Sequence, residues 1–118
     1  MRSRTVVATL ECAGNGRFTF DPPAGGEQWR LGAVSTAEWV GVPLTEILDR
    51  AGLKPDAREV VFRGADRGVP SQGSAPIRFE RSLSVADAQH SESLLAYAMN
   101  GQPLPLEHEY PLRLIMPS

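Results

Sequence analysis

One cysteine and two histidines are all that this chain of 118 residues holds of the usual nitrogen and sulfur metal ligands. The single thiol, Cys12, excludes an internal disulfide and any zinc site built from several thiolates. With only His90 and His108, a histidine-rich metal site is excluded as well. Metal chemistry here must rest on one thiolate or on a cofactor that brings its own ligands. Positive charge is also scarce: 12 Lys and Arg stand against 14 Asp and Glu, for a formal charge of −2 and no basic run. That removes the electrostatic footprint of a general nucleic-acid binder. No apolar stretch approaches the length of about 18 residues that a membrane-crossing helix needs. Nor does a signal-peptide pattern appear, because Met1 is followed by Arg2, Ser3, Arg4 and then a strand-like run. Localisation is therefore open between periplasm and cytoplasm.

What remains is an ordinary globular mix, 42% hydrophobic and 22% charged, which argues against wholesale disorder. At 12.8 kDa there is room for one domain. Gly and Pro contribute 11 and 10 residues, spread without a period, as in a fold rich in turns.

Thr5 to Leu10 is a β-branched run and reads as a buried strand. It spills into Glu11-Cys12-Ala13-Gly14-Asn15-Gly16-Arg17, where two glycines and an asparagine impose a loop. A second loop covers 21 to 28, followed by a short strand from Trp29 to Val34. Pro43 opens a helix over Leu44 to Ala51, whose apolar stripe is Leu44, Ile47, Leu48 and Ala51 and whose stop is Gly52. Glu59 to Arg63 reads as a buried strand, 69 to 76 as a long irregular connection, and Val85 to Gln89 as a short helix capped by Ser84. Leu94 to Met99 is a strand ending in the tight-turn pair Asn100-Gly101. A last strand spans Leu112 to Met116 and stops at Pro117. Strands and short helices alternate without a βαβ rhythm, so the expected class is α+β, a mixed sheet with short helices in one domain over 1–118.

Few residues stand where chemistry is done. Cys12, at a strand end beside glycines, is placed to reach a ligand, and Arg17 would lower its thiol pKa and hold an anion. The plainer alternative is a small buried hydrophobe. His108 ends a proline-stiffened segment, Pro103 to His108, that leads to Arg113 five residues later, and the two suit a phosphate or polar heterocycle, or else a local cap and an arginine paired with a surface glutamate. Asp66 follows a strand and a glycine, a position used for ligands and equally for stabilising a turn. Trp29, Trp39 and Phe62 read as core and His90 as a solvated side chain. Neither a nucleophile elbow, a P-loop nor a CxxC pair occurs.

Taken together, Thr9-Leu10-Glu11-Cys12-Ala13-Gly14-Asn15-Gly16-Arg17 resembles the cysteine-loop motif of the sulfite oxidase family of molybdopterin enzymes. Gly32 to Trp39, Gly41-Val42-Pro43-Leu44, Phe62-Arg63-Gly64-Ala65-Asp66, Glu80-Arg81-Ser82-Leu83, Leu94 to Gly101 and Gln102 to Pro117 look like that family's following blocks, in order and at similar spacing. The resemblance implies a sulfite-oxidase-type molybdopterin-binding fold, here a partial domain truncated at both ends. It implies that Cys12 ligates molybdenum, that Arg17 faces the substrate anion, and that Asp66, His108 and Arg113 hold the molybdenum–molybdopterin cofactor. It also implies oxygen-atom transfer on sulfite or a related oxoanion. The implied partners are that small oxoanion substrate, an electron acceptor such as a cytochrome, and, as in related enzymes, a second copy of the chain in a homo-oligomer.

Two positions depart from the family pattern. Glu109 and Ser118 stand where glycines are usual. A backbone conformation reserved for glycine would strain a glutamate, and a carboxylate beside an anion site repels the anion unless it points away. Two other roles are compatible with the residues: a cofactor-free structural or interaction remnant of the domain that needs a partner chain or longer parent protein, and a metal-free thiol-reactive module built on Cys12.

Overall fold

The computed structural model describes residues 1–69 and 73–116; the expected stop at Pro117 and the departure at Ser118 lie outside them. The main sheet has five strands: β1 (Arg4–Glu11), β2 (Val34–Pro43), β5 (Leu94–Met99), β6 (Gln102–Pro103) and β7 (Arg113–Ile115). They run in the order β1-β2-β5, and β6 and β7 both pair with the far edge of β5. Every pairing is antiparallel. A separate two-stranded sheet joins β3 (Glu59–Arg63) to β4 (Glu80–Ser84). Two helices, α1 (Leu44–Ala51) and α2 (Val85–Ala88), complete the mixed α+β architecture. No helix among the described residues is long and apolar enough to cross a membrane.

Local chemistry explains the elements that match expectation. Helix α1 begins directly after Pro43 and ends at Gly52, whose N–H donates to Leu48 O at 2.9 Å from a backbone with φ 78°. Its buried stripe narrows to Leu44 and Leu48, with Ile47 half-buried and Ala51 exposed. Ser84 caps α2 by accepting from the Asp87 N–H at 3.0 Å. Asn100 and Gly101 both take positive φ, 50° and 76°, as the turn between β5 and β6 requires.

Three expectations are corrected. Trp29 to Val34 forms no strand: Trp29 and Leu31 are exposed, and the true strand starts at Val34 and runs to Pro43. The segment 29–33 instead leans on the cysteine loop, with Gly16 N–H to Arg30 O at 2.8 Å and Phe18 N–H to Trp29 O at 3.3 Å. β1 is an edge strand, and only Ala8 of it is buried. Glu59 to Arg63 forms β3 but is not buried, with Val60 and Phe62 half-buried and Val61 exposed; its partner β4, rich in charge, carries no apolar run that would announce it.

Two cores result. Ala8, Trp39, Leu94, Ala96, Leu104 and Ile115 fill one face of the main sheet. Leu44, Leu48 and Ala88 form the second, joined by Val60, Phe62 and Leu83 from the small sheet and by Leu114. Successive residues of β7 thus serve both: Ile115 enters the first core and Leu114 the second, as the two-residue period of a strand dictates. The radius of gyration, 16.3 Å, exceeds the value of about 13 Å for a compact domain of this length. Much apolar surface accordingly stays in contact with solvent.

Candidate functional site

Cys12 is the first residue past β1. Its N–H donates to Ala33 O at 2.9 Å, one row beyond the Glu11–Val34 pair that ends the β1–β2 ladder. The chain then turns sharply: Asn15 N–H donates to Cys12 O at 2.8 Å, and Arg17 N–H to Gly14 O at 3.0 Å. Asn15 braces the turn from its side chain, donating to Glu11 Oε1 at 2.6 Å and accepting from Ala33 N–H at 3.0 Å. The result is an exposed thiol, not a buried hydrophobe. The Gly14 N–H faces Cys12 Sγ at 3.4 Å, so a backbone donor lies against the sulfur.

Gly14 also explains how Arg17 reaches the same place. A Cβ on Gly14 would sit 2.9 Å from Arg17 Nη2 and 3.1 Å from Trp29 Cδ1. The guanidinium therefore lies against a bare backbone, held by a hydrogen bond to Glu27 O at 3.3 Å. Cys12 Sγ and the Arg17 guanidinium each approach Gly14, and the guanidinium also lies against Gly26.

His108 and Arg113 form a second group. His108 ends a 3-10 turn (Leu106–His108), and Arg113 opens β7. Arg113 Nη1 lies 3.3 Å from His108 Nδ1, its guanidinium sits 5.4 Å from the centre of the buried Trp39 ring, and its Nε is 3.7 Å from Glu109 Oε2. The expected pair is present, and so is the glutamate partner. Glu109 adopts φ 70°, ψ 40°, the left-handed conformation that glycine takes without cost. Asp66, exposed in the loop after β3, folds back on its own turn: a Cβ on Gly64 would stand 2.7 Å from Asp66 Oδ1. Among the described residues no hydrogen bond or ion pair ties Asp66 to the other two groups. The two groups on the main sheet are themselves apart. The Trp39 ring under Arg113 reaches along β1, its Nε1–H donating to Ala8 O at 3.4 Å, and Cys12 lies four residues beyond Ala8, or roughly 13 Å at the usual strand rise.

Residue type alone pointed to Cys12, Arg17, His108 and Arg113. It did not reveal Asn15 as the brace or Trp39 as a platform for Arg113, although the invariably short reach of an asparagine between two glycines is the signal for the first. His90 is exposed as expected, and Trp39 and Phe62 contribute to the cores, whereas Trp29 is half-exposed.

The strained glutamate gives a direct prediction. Glu109→Gly removes a left-handed side-chain penalty of about 1–2 kcal/mol and an exposed ion pair of a few tenths of that. The variant should melt a few degrees higher in calorimetry; an unchanged or lower Tm would refute the strain.

The donor set is compatible with a metal group that brings most of its own ligands. Among the described residues no three His, Cys, Asp or Glu side chains gather to hold an ion. A metal at Cys12 must therefore arrive with most of its ligands, while His108 and Arg113 offer donors to an oxyanion such as a phosphate. A metal bound through a phosphorylated dithiolene pterin meets both conditions.

The family model for an oxidoreductase molybdopterin binding domain matches residues 1–118, and the chain belongs to this family. The chain is similar to mitochondrial sulfite oxidase of Rattus norvegicus, with 41% identity over 95% of this chain and 21% of the rat protein. It is 35% identical to the sulfite oxidase of Arabidopsis thaliana over 95% of this chain and 30% of that one, and 35% identical to the NADH nitrate reductase of Cichorium intybus over 98% and 13%. Among solved structures, the sulfane dehydrogenase SoxCD of Paracoccus pantotrophus matches with a TM-score of 0.76 and 32% identity, over 99% of this chain and 28% of that chain. The fold is thus the molybdopterin-binding fold expected from the motifs. The chain spans less than a third of the length of each of these relatives.

Proposed function

We propose that this chain supplies the cysteine-bearing part of a molybdenum–molybdopterin site for oxygen-atom transfer on sulfite or a related oxoanion. Its electrons would pass to an acceptor such as a cytochrome. The observation that carries the reading is Cys12: an exposed thiol on a braced loop, with a backbone N–H on its sulfur and a cation one glycine away. When bound, the cofactor supplies two-electron redox chemistry coupled to exchange of an oxygen atom.

The chain's own residues do the rest. Cys12 offers one soft, strongly donating thiolate to a metal that carries its own sulfur ligands. Gly14 N–H tempers the charge on that sulfur and so tunes the ligand. Arg17 attracts a doubly charged oxoanion and can hold two of its oxygens at once. His108 and Arg113 grip the cofactor's phosphate, and Asp66 offers carboxylate acceptors to its nitrogen donors. Trp39 supports Arg113 from beneath through its ring face.

Molybdenum per chain, measured by elemental mass spectrometry on protein made in a molybdopterin-producing host, tests the reading. Wild type should carry near-stoichiometric metal, and Cys12→Ser should retain about a tenth or less, the loss expected when a metal site is damaged. Metal absent from both proteins would overturn the proposal. It would favour a cofactor-free scaffold that acts within a larger protein, a reading to which the Glu109–Arg113 pair lends some weight by occupying the arginine internally.

A further inference from the structure

Arg113 is held on three sides, and the side left open governs what it can take. Its guanidinium lies 5.4 Å from the centre of the buried Trp39 ring. Nη1 lies 3.3 Å from His108 Nδ1. An arginine can only donate, so Nδ1 is the acceptor and the proton of the neutral ring sits on Nε2. Nε lies 3.7 Å from Glu109 Oε2. Among the described residues no hydrogen bond engages Nη2.

A guanidinium grips an oxyanion best through two parallel N–H groups, and both of its two-nitrogen edges include Nη2. One edge joins Nη2 to Nη1, which keeps a second proton after donating to a neutral ring. The other joins Nη2 to Nε, and there an anion meets a carboxylate already in place. The two partners differ in freedom: the Glu109 side chain is 66% exposed and that of Arg113 22%. The acid can swing into water while the base stays on Trp39. It cannot go far, because Glu109 follows His108 directly and its N–H closes the 3-10 turn on Leu106 O at 3.2 Å. Its charge therefore stays beside any anion that Arg113 and His108 hold. Repulsion scales with the product of the charges, so a dianion feels twice what a monoanion feels at the same seat.

We propose that Glu109 is a specificity-determining residue of the His108–Arg113 pair, an internal carboxylate that competes for Arg113 and biases the pair toward a singly charged phosphodiester and against a dianionic phosphate monoester. The inference rests on the reading of this pair as an oxyanion holder and is independent of what Cys12 holds.

NMR titration of the purified chain, read at the side-chain N–H signals of Arg113, tests it. Methyl phosphate serves as the dianion and dimethyl phosphate as the monoanion, at low salt and at a pH well above about 6, where the monoester is doubly ionised. Glu109→Gln keeps the size of the side chain and removes its charge. It should tighten dimethyl phosphate about twofold and methyl phosphate about fourfold, the second effect being the square of the first. Glu109→Gly, which also relieves the left-handed backbone, should show the same gain in selectivity. Glu107→Gln makes the same charge change at an exposed side chain of the same turn, with no bond to Arg113 among the described residues. It should leave both affinities within about a third of the wild-type values. Equal tightening of the two phosphates, no tightening, or the same selectivity gain in Glu107→Gln would overturn the inference and leave the pair an oxyanion site. Arg113 signals that respond to neither phosphate in any of these proteins would overturn both.

Discussion

Gly41→Ala should destabilise this protein by about 3 kcal/mol, the upper end of what overpacking a tight site costs. Gly41 sits in β2 where the register with β5 shifts, between Val40 and Gly41, and it lies opposite Ala96. A Cβ there would stand 2.6 Å from Ala96 Cα and 2.8 Å from Ala96 N, and would press on Leu95 O as well. All three obstacles are backbone, so no rotamer change relieves the clash; the strands must part. The β2–β5 joint is also what ties β1, and with it the cysteine loop, to the rest of the main sheet. Domains of this kind have about 5–15 kcal/mol of stability in total, and urea slopes run at about 1–3 kcal/mol per molar. The urea midpoint should therefore fall by about 1 M or more. Gly32→Ala, where a Cβ would meet nothing within 4 Å, is the matched control and should leave the midpoint in place. If both variants unfold together with wild type, the close approach at Gly41 is not real.

Arg113→Gln should lower cofactor retention by about thirtyfold while costing only about 1 kcal/mol of stability. Three neighbours converge on that guanidinium: the His108 ring, the Trp39 face and the Glu109 carboxylate. Glutamine keeps much of the length but loses the charge and the two-pronged fork that suits phosphate. A charge-assisted pair of this type is worth about 2 kcal/mol, which is close to thirtyfold in binding. The stability cost is about 1 kcal/mol, because the ion-pair partner is largely exposed but Arg113 is only 22% exposed and gives up its seat on Trp39. Dialysis of metal-loaded protein, followed by molybdenum analysis, reads the retention. A variant that holds metal as long as wild type does would show that Arg113 belongs to Glu109 and not to a cofactor.

Much of this was legible from residue type, and the misses share a cause. Helix α1, strand β3, the Ser84-capped helix and strand β5 stand where the pattern put them, because each is set by local signals: Pro and Gly at the ends, an apolar stripe, or a compact apolar run. The strand expected at Trp29 to Val34 failed because alternating Trp29 and Leu31 look buried in sequence, yet they lie on a loop that crosses the cysteine turn. β2 was hidden by its polar start, Ser35 and Thr36, which pairs with an edge strand and needs no core. β4 was hidden by charge that now lines a groove. In the site, Cys12, Arg17, His108 and Arg113 were visible as chemistry, and the departure at Glu109 did foretell a left-handed backbone. The seat of Arg113 on Trp39 was not visible, because it depends on β2 and β7 both flanking β5, a relation no local window contains.

The unequal lengths of the strands have a mechanical consequence. β5 supports β2 only from Trp39 to Pro43, with Asn100 adding two hydrogen bonds at Glu38, its N–H donating to Glu38 O at 2.9 Å and its Oδ1 accepting from Glu38 N–H at 3.0 Å. From there to Val34 the β1–β2 ribbon projects without a third strand, steadied on one face by Leu10 and Ala37. The thiol is at its tip, five residues past Val7, or roughly 17 Å at the usual rise. A lever of that length turns each 10° of flexing at its root into about 3 Å of travel at the sulfur. Anything bound at Cys12 would therefore act as a stay on the arm, with the position of the thiol set jointly by the sheet behind it and the load it carried.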